Sequence, residues 1–596
     1  MAASAVLCRV EVADLNAHLF RVTLTVKTPA PVQQLSLPVW IPGSYLVREF
    51  SKNLQRMHAR QGQEPLDLIQ IDKSSWQVSC KPGRPLIVSY EIYALDSSVR
   101  TAWLDASRGF FNATSMFLRV AGQTESAHDI DIVASRLIKT WQVATGLAPV
   151  KTSKNGFGIY RAANYDELAD CPVEMGQFWR GSFKARGVPH QFVVAGAPPT
   201  FDGARLLADV QKICEAEISF WHPIDTHSRS GKSKSADKPP HKNYLFMLNA
   251  VDDGYGGLEH RNSTALICNR KDLPRLSASV KQPDGYTTLL GLISHEYFHT
   301  WNVKRLRPSE FSVYDYTREN YTQLLWFFEG FTSYYDDLLL RRAGLIDDAT
   351  YLKLVNKTIN QVMQTPGRLV QSVAQSSFDA WVKYYRQDEN TPNATVSYYT
   401  KGALVAMCFD LTLRAEGKTT LDAVTRALWL HCKGGAMQEA DLAAVLSDLG
   451  GRSFAAELAS WVHSTAELPL KPLLERAGVA VLDEPAQTAQ VLGLRVSESA
   501  GLQVKTVLRG GAAELAGFAA GDEWLGLETG SGKATAAWRI YKLEDIQIYA
   551  TAPSSLTAIV ARDKRILKLP LNLPGTVKTW RLVLRDAALV KHWLAA

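Results

Sequence analysis

Cysteine is scarce in this 596-residue chain, and what there is forms no pattern. The seven cysteines (Cys8, Cys80, Cys171, Cys214, Cys268, Cys408 and Cys432) make no C-x-x-C pair, and their number is odd. That argues against a disulfide framework and against a thiolate metal site. No apolar run reaches the length needed to span a bilayer, so no membrane partner is expected. Residues Met1 to Val12 carry neither a charged leader nor a long apolar stretch and read as the start of a strand. A reducing cytoplasm is the expected compartment. A dense basic stripe with interleaved aromatics is also missing, and a net charge of +7 is modest at this length, so no nucleic-acid partner is expected. The basic run Arg229–Lys242 is mostly Ser, Gly, Lys and Pro and reads as a solvated loop.

What is present is length and order. The chain is too long for one core, which predicts three or four domains. Between about residues 5 and 165, short alternating segments such as Leu19–Val26 and Pro85–Tyr93 predict an antiparallel β domain. From about 180 to 270, strands such as Tyr244–Ala250 alternate with one helix, Gly203–Trp221, closed by Pro223. From about 285 to 480 the pattern is helical. Thr400–Arg414, Leu421–Cys432 and Glu439–Leu449 are examples, the last stopped by Gly450 and Gly451. Near 480 the composition shifts to short strands and glycine-rich turns. The expected fold class is multidomain α+β.

Residues 295–299 read His-Glu-Tyr-Phe-His. On a helix, His295 and His299 lie one turn apart on one face and can share a tetrahedral Zn²⁺. Glu296 is then placed to act on water rather than on the metal. A surface helix with two accidental histidines is the alternative. A third ligand would decide, and Glu329 is a lone carboxylate in the aromatic run Leu324–Asp337. A buried carboxylate needs a cation, either a metal ion or an arginine such as Arg318 or Arg341. Two histidines and a glutamate form a catalytic zinc set.

H-E-x-x-H followed by Glu329-Gly-Phe-Thr332 resembles the gluzincin metallopeptidases. The longer string His295-Glu-Tyr-Phe-His-Thr-Trp-Asn-Val-Lys-Arg-Leu-Arg-Pro308 resembles the glycyl aminopeptidase family, which pairs a gluzincin domain with a C-terminal PDZ domain. Trp40–Phe50 resembles a signature of that family's N-terminal domain. The resemblance implies a β domain at 1–170, a thermolysin-like zinc catalytic domain at 171–365 and a helical domain at 366–480. It further implies a PDZ-like β domain at 481–575 and a tail at 576–596. By analogy with related aminopeptidases, Asp336, seven residues after Glu329, would orient a ligand histidine. Gly256-Gly-Leu-Glu259 resembles their substrate-binding edge strand. Gly256 and Gly257 would meet the substrate backbone, and Glu259 its free α-amino group. His260 replaces a family-typical Asn, and its role is open. Glu174 is a second candidate for the amine, with an ordinary surface glutamate as the alternative. Tyr398-Tyr-Thr-Lys-Gly402 resembles the segment whose tyrosine stabilises the oxyanion. Tyr399 matches by spacing, with Tyr398 as the fallback.

The implied activity is a zinc aminopeptidase that removes small N-terminal residues, Gly or Ala, from peptides. The alternatives are a zinc endopeptidase of thermolysin type, and a PDZ scaffold carrying a relic zinc domain. Gly510–Leu525 resembles the helix-and-turn element of bacterial PDZ domains. Such a domain takes a peptide on its sheet edge, with the carboxylate loop near Val491–Leu494, or else only packs on its neighbour. The sequence leaves the oligomeric state open.

Overall fold

The computed structural model describes residues 4–223, 238–276, 284–530, 535–575 and 577–595. Most of the basic run Arg229–Lys242 lies outside the described residues. The described chain forms two compact units. Among the described residues, no helix is long and apolar enough to cross a membrane.

The first unit comprises Met1–Tyr321 with Arg342–Ile346 and Trp429–Met437. Its main sheet has eight strands: β1 (Val6–Asp14), β2 (Leu19–Val26), β3 (Leu54–Gln61), β4 (Glu64–Leu66), β5 (Leu86–Tyr93), β6 (His128–Ile132), β7 (Ala148–Thr152) and β8 (Gly158–Ala162). They run in the order β7-β8-β6-β1-β2-β5-β3-β4. The period-two pattern does what it should: Val6, Cys8, Val10 and Val12 of β1 and Phe20, Val22, Leu24 and Val26 of β2 are buried, while the residues between them are not fully covered. One pair departs from the expected antiparallel domain, for β1 and β6 are parallel. A parallel pair needs a long crossover, and the long stretch between these strands supplies it.

A second, five-stranded sheet follows: β9 (Trp179–Ala185), β10 (Val188–Ala195), β11 (Tyr244–Val251), β12 (Gly256–Glu259) and β13 (Ser263–Asn269), in the order β9-β10-β11-β13-β12. It is mixed, with β10, β11 and β13 parallel. Helix α1 (Gly203–Trp221) starts where the Asp202 carboxylate accepts the Arg205 amide at 3.0 Å. Helix α2 (Asp284–Phe298) lies against α1 and against β12 and β13. Leu258, Ala265 and Ile267 from this sheet join the hydrophobic cluster of the eight-stranded domain, so β12 is seated by a shared core.

The second unit comprises Thr322–Arg341, Asp347–Leu428 and Gln438–Ala596. Its helices include α3 (Leu325–Arg342), α4 (Asp348–Met363), α5 (Thr400–Glu416) and α6 (Glu439–Gly450). Strand β14 (Val479–Pro485) follows. Next come β15 (Leu494–Ser497), β16 (Gln503–Val507), α7 (Ala512–Ala516), β17 (Glu523–Thr529), β18 (Ala536–Arg539), β19 (Ser554–Arg562) and β20 (Arg565–Leu573). Strands β15 to β20 form one sheet over their own hydrophobic core, from Leu492 to Leu573.

The segment expected as a tail carries two elements. Residues Lys578–Leu584 form β21, antiparallel to β14, and Ala587–Leu594 form helix α8. Trp593 of α8 is buried, and its indole donates to the Tyr334 hydroxyl at 3.2 Å. Asn360 of α4 donates to the Trp580 carbonyl at 2.7 Å, tying β21 down. No long apolar run advertises this segment, because its two elements are short.

Candidate active site

Helix α2 carries His295 and Glu296, and His299 follows its last turn. The two imidazole Nε2 atoms lie 3.0 Å apart. A shared hydrogen bond would need one ring proton turned on the other ring. Two ligands of one tetrahedral Zn²⁺ would sit about 3.4 Å apart, from Zn–N bonds of about 2.05 Å. The His299 Nδ1 donates to the Asn302 carbonyl at 2.8 Å, which makes Nε2, the nitrogen facing His295, the one placed to ligate. Among the described residues, one group of side chains is disposed to share an ion: His295, His299 and Glu329, with ligand atoms within 4.8 Å of one another. The donor set fits zinc. The two arginines that could have paired with Glu329 are engaged elsewhere, Arg318 on Asp315 and Arg341 on Asp348, both at 2.7 Å.

The rest of the string after His299 is a clamp. Val303 is held at φ 99°, an unusual place for a β-branched residue. Its amide donates to the Leu306 carbonyl at 2.7 Å, and the Lys304 amide to the His299 carbonyl at 3.1 Å. Arg305 spans the carbonyls of Thr300, Arg261 and Pro240. Trp301 is buried, stacks on Trp221 and donates to His222 at 2.9 Å. Together these contacts fix the turn whose Asn302 carbonyl orients His299.

Strand β12 is the open edge of its sheet, next to the general-base candidate. Gly257 packs on the Glu296 carboxylate so closely that any β-carbon there would overlap it. Glu259, 4% exposed, lies against Gly43 of the Trp40–Phe50 signature, where a β-carbon would stand 2.5 Å from its Oε1. Gly43 has φ 93°, so glycine is required twice over. The Glu259 Oε1 is buried without a hydrogen-bond partner among the described residues. A carboxylate oxygen so placed is expected to receive a cationic donor.

Behind Glu259 sits a buried ionic cluster. Asp170 accepts from Lys304 Nζ at 2.7 Å, from His260 Nδ1 at 3.2 Å and from the Arg261 amide at 2.9 Å. This is the structural position of His260. Burial pushes the Asp170 carboxyl up, but Lys304, His260 and Arg261 outweigh it and hold the group well below the carboxylate range. Glu174 is spoken for: it is buried and takes a bidentate pair from Arg108 at 2.8 and 2.7 Å. Breaking a buried pair by removing one partner costs about 3–5 kcal/mol. Lys304→Met should therefore lower the denaturant midpoint by a stability loss of that order. Because the folded Asp170 titrates low, its contribution is complete above about pH 4 and lost as pH falls further. The gap between variant and wild type should narrow in that acid range. An unchanged midpoint at pH 7 would refute the assignment.

In the second unit, Glu329 and Gly330 lie on α3, and Tyr399 caps the start of α5. The two helices touch through glycines. A β-carbon on Gly330 would meet Gly402 at 2.6 Å, and one on Gly402 would meet the Trp326 carbonyl at 2.6 Å. This approach explains both motif glycines and brings the Tyr399 ring near Glu329. Burial, then the Glu329 charge, pushes the Tyr399 hydroxyl well above its ordinary range, so it stays a neutral donor. Its hydroxyl lies 3.3 Å from that of Tyr385. Tyr398 is fully buried. Asp336 lies farther along α3, half-buried, and accepts the Asp337 amide at 2.6 Å.

Two family models match the chain. The model of the M61 glycyl aminopeptidase covers residues 288–405, and that of the peptidase M61 N-terminal domain covers residues 8–177. Among solved structures, an aminopeptidase N family protein from Idiomarina loihiensis is 35% identical, covers 99% of this chain and 100% of its own, and superposes with a TM-score of 0.91. An M1 zinc metallopeptidase from Deinococcus radiodurans is 13% identical over 78% of this chain and 94% of its own, with a TM-score of 0.46. No curated protein matches the chain.

Proposed function

This chain belongs to the M61 glycyl aminopeptidase family, and from that premise we propose a zinc aminopeptidase acting on small N-terminal residues, Gly or Ala. His295, His299 and Glu329 hold the zinc, and Asp336 orients His295, since His299 already has the Asn302 carbonyl. The ion supplies Lewis acidity toward the scissile carbonyl and toward water. Glu296 takes the proton of the attacking water and delivers it to the leaving amine. Tyr399 donates to the developing oxyanion. Gly257 presents the strand edge to the substrate backbone, with Gly256 next to it at the head of the strand, and Glu259 holds its ammonium. The observation that carries the exopeptidase reading is the buried Glu259 Oε1, without a hydrogen-bond partner among the described residues, on the strand whose Gly257 packs on Glu296. A buried carboxylate there favours a free amine over a continuing chain.

The experiment compares free and N-acetylated peptides of one sequence, with zinc and with chelator. Wild type should cleave only the free peptide, and chelator should abolish cleavage. Glu259→Ala should raise KM and lower kcat/KM by at least about tenfold, as expected for a lost charged contact. Cleavage of both peptides at similar rates would turn the assignment to an endopeptidase.

We further propose the division into 1–170, 171–365, 366–480 and 481–575, with the last as a PDZ-like module. The short helix α7, the left-handed Gly517 after it and the buried Asp522 paired with Arg562 at 2.7 Å support that reading.

A further inference from the structure

Among the described residues, Arg100 makes no ion pair with a carboxylate. Other arginines of the first unit are paired: Arg108 with Glu174, Arg161 with Asp129, and Arg261 with Asp166. Arg100 is half-buried, and its guanidinium makes one hydrogen bond, from Nη2 to the Gly257 carbonyl at 2.9 Å. Its Nε is buried with no partner among the described residues. The residue is held in place rather than trailing on a loop. The buried Asn112 amide donates to the Val99 carbonyl at 2.8 Å and to the Thr101 carbonyl at 3.2 Å, one on each side of Arg100. A half-buried cation without a counter-charge is costly, and a planar fork suits a carboxylate.

The position along β12 tells which carboxylate. The His260 amide donates to the Ser263 carbonyl at 2.9 Å, so alternation turns the backbone groups of Gly257 and Glu259 to the open edge. In order along that edge stand Glu259, then Gly257 beside Glu296, then Arg100, whose Nη1 is 3.7 Å from where a Gly256 β-carbon would be. Two to three strand residues separate the amine end from Arg100, a span of about 7–10 Å. That is the distance from the amine to the C-terminal carboxylate of a dipeptide or tripeptide in extended form, about 3.4 Å per residue.

We propose that Arg100 is a substrate-binding residue that takes the C-terminal carboxylate of short peptides, so that this peptidase selects dipeptides and tripeptides with a free C-terminus. The proposal rests on the aminopeptidase reading for the direction of the substrate. The test uses Ala-Ala, Ala-Ala-Ala, Ala-Ala-amide and Ala-Asp-amide with the full-length zinc enzyme. Wild type should favour the free acids over Ala-Ala-amide by at least about tenfold in kcat/KM. Arg100→Gln should reduce that preference to about twofold or less, lowering kcat/KM for the free acids far more than for Ala-Ala-amide, and Arg100→Lys should keep part of it. Equal losses on acid and amide in Arg100→Gln would mean a purely structural residue and overturn the proposal. So would a wild type blind to the C-terminus. Ala-Asp-amide turned over as well as the acids would point to a side-chain carboxylate and overturn it too. Calorimetric binding of Ala-Ala and Ala-Ala-amide to the Glu296→Gln protein gives the same comparison without turnover. Equal affinities there overturn the proposal even if no peptide is cleaved, whereas failure of the aminopeptidase reading shows as cleavage of acetylated peptides or of none.

Discussion

Glu296→Gln should retain zinc and lose activity by about three orders of magnitude, within the range for removal of a general acid–base. The amide matches the carboxylate in shape and keeps the contact with Gly257, but it cannot accept the proton of the attacking water at neutral pH. The substitution touches neither His295, His299 nor Glu329, so metal content and melting should stay near wild type. The loss should fall on kcat, because Glu259 and the strand edge still bind the peptide. Metal analysis beside steady-state kinetics checks both halves. A zinc-loaded Glu296→Gln protein with wild-type turnover would sink the mechanism.

Gly257→Ala is the second large effect, and it comes from a residue with no chemistry of its own. Gly257 does not need positive φ, so alanine fits the backbone. Its methyl group would overlap Glu296, and either the carboxylate or the strand must move. Misplacing a catalytic group by about 1 Å costs on the order of a hundredfold. We expect a fall of that size in kcat/KM, with zinc retained. Because both changes act on one carboxylate, the Gly257→Ala, Glu296→Gln double variant should be scarcely worse than Glu296→Gln alone. Additive losses would mean that Gly257 acts through substrate binding alone.

The helices were legible because their spacing is local. Gly203–Trp221 is helical over the span its pattern gives, and Thr400–Arg414 falls short of the observed Glu416 by two residues. His295 and His299 share a face for the same reason, since one helical turn fixes their distance whatever the rest of the chain does. Glu329 stood out because a charge inside an aromatic run demands explanation. Contacts set by closure of the fold left no such trace. Nothing near Lys304 in sequence points to Asp170, and nothing near Gly43 points to Glu259. Arg100 lies in an ordinary turn and acquires its meaning from Gly257, far along the chain. Glu174 looked available because its partner Arg108 belongs to another strand of the same sheet. The parallel pairing of β1 with β6 escaped too, because alternation reports which face is buried and not which neighbour is beside it.

The pairing of β14 with β21 changes how the module at residues 486–577 is joined to its host. Pro485 and Lys578 are direct cross-strand partners, so the segment leaves and re-enters at adjacent points, about 5 Å apart. It is an insertion carried on a two-stranded stalk, not an appendage at the end of the chain. Such a graft can be exchanged for a two-residue hairpin loop without cutting the host polypeptide's fold. Removing everything after Pro485 would instead take away β21 and α8, and with them the buried Trp593.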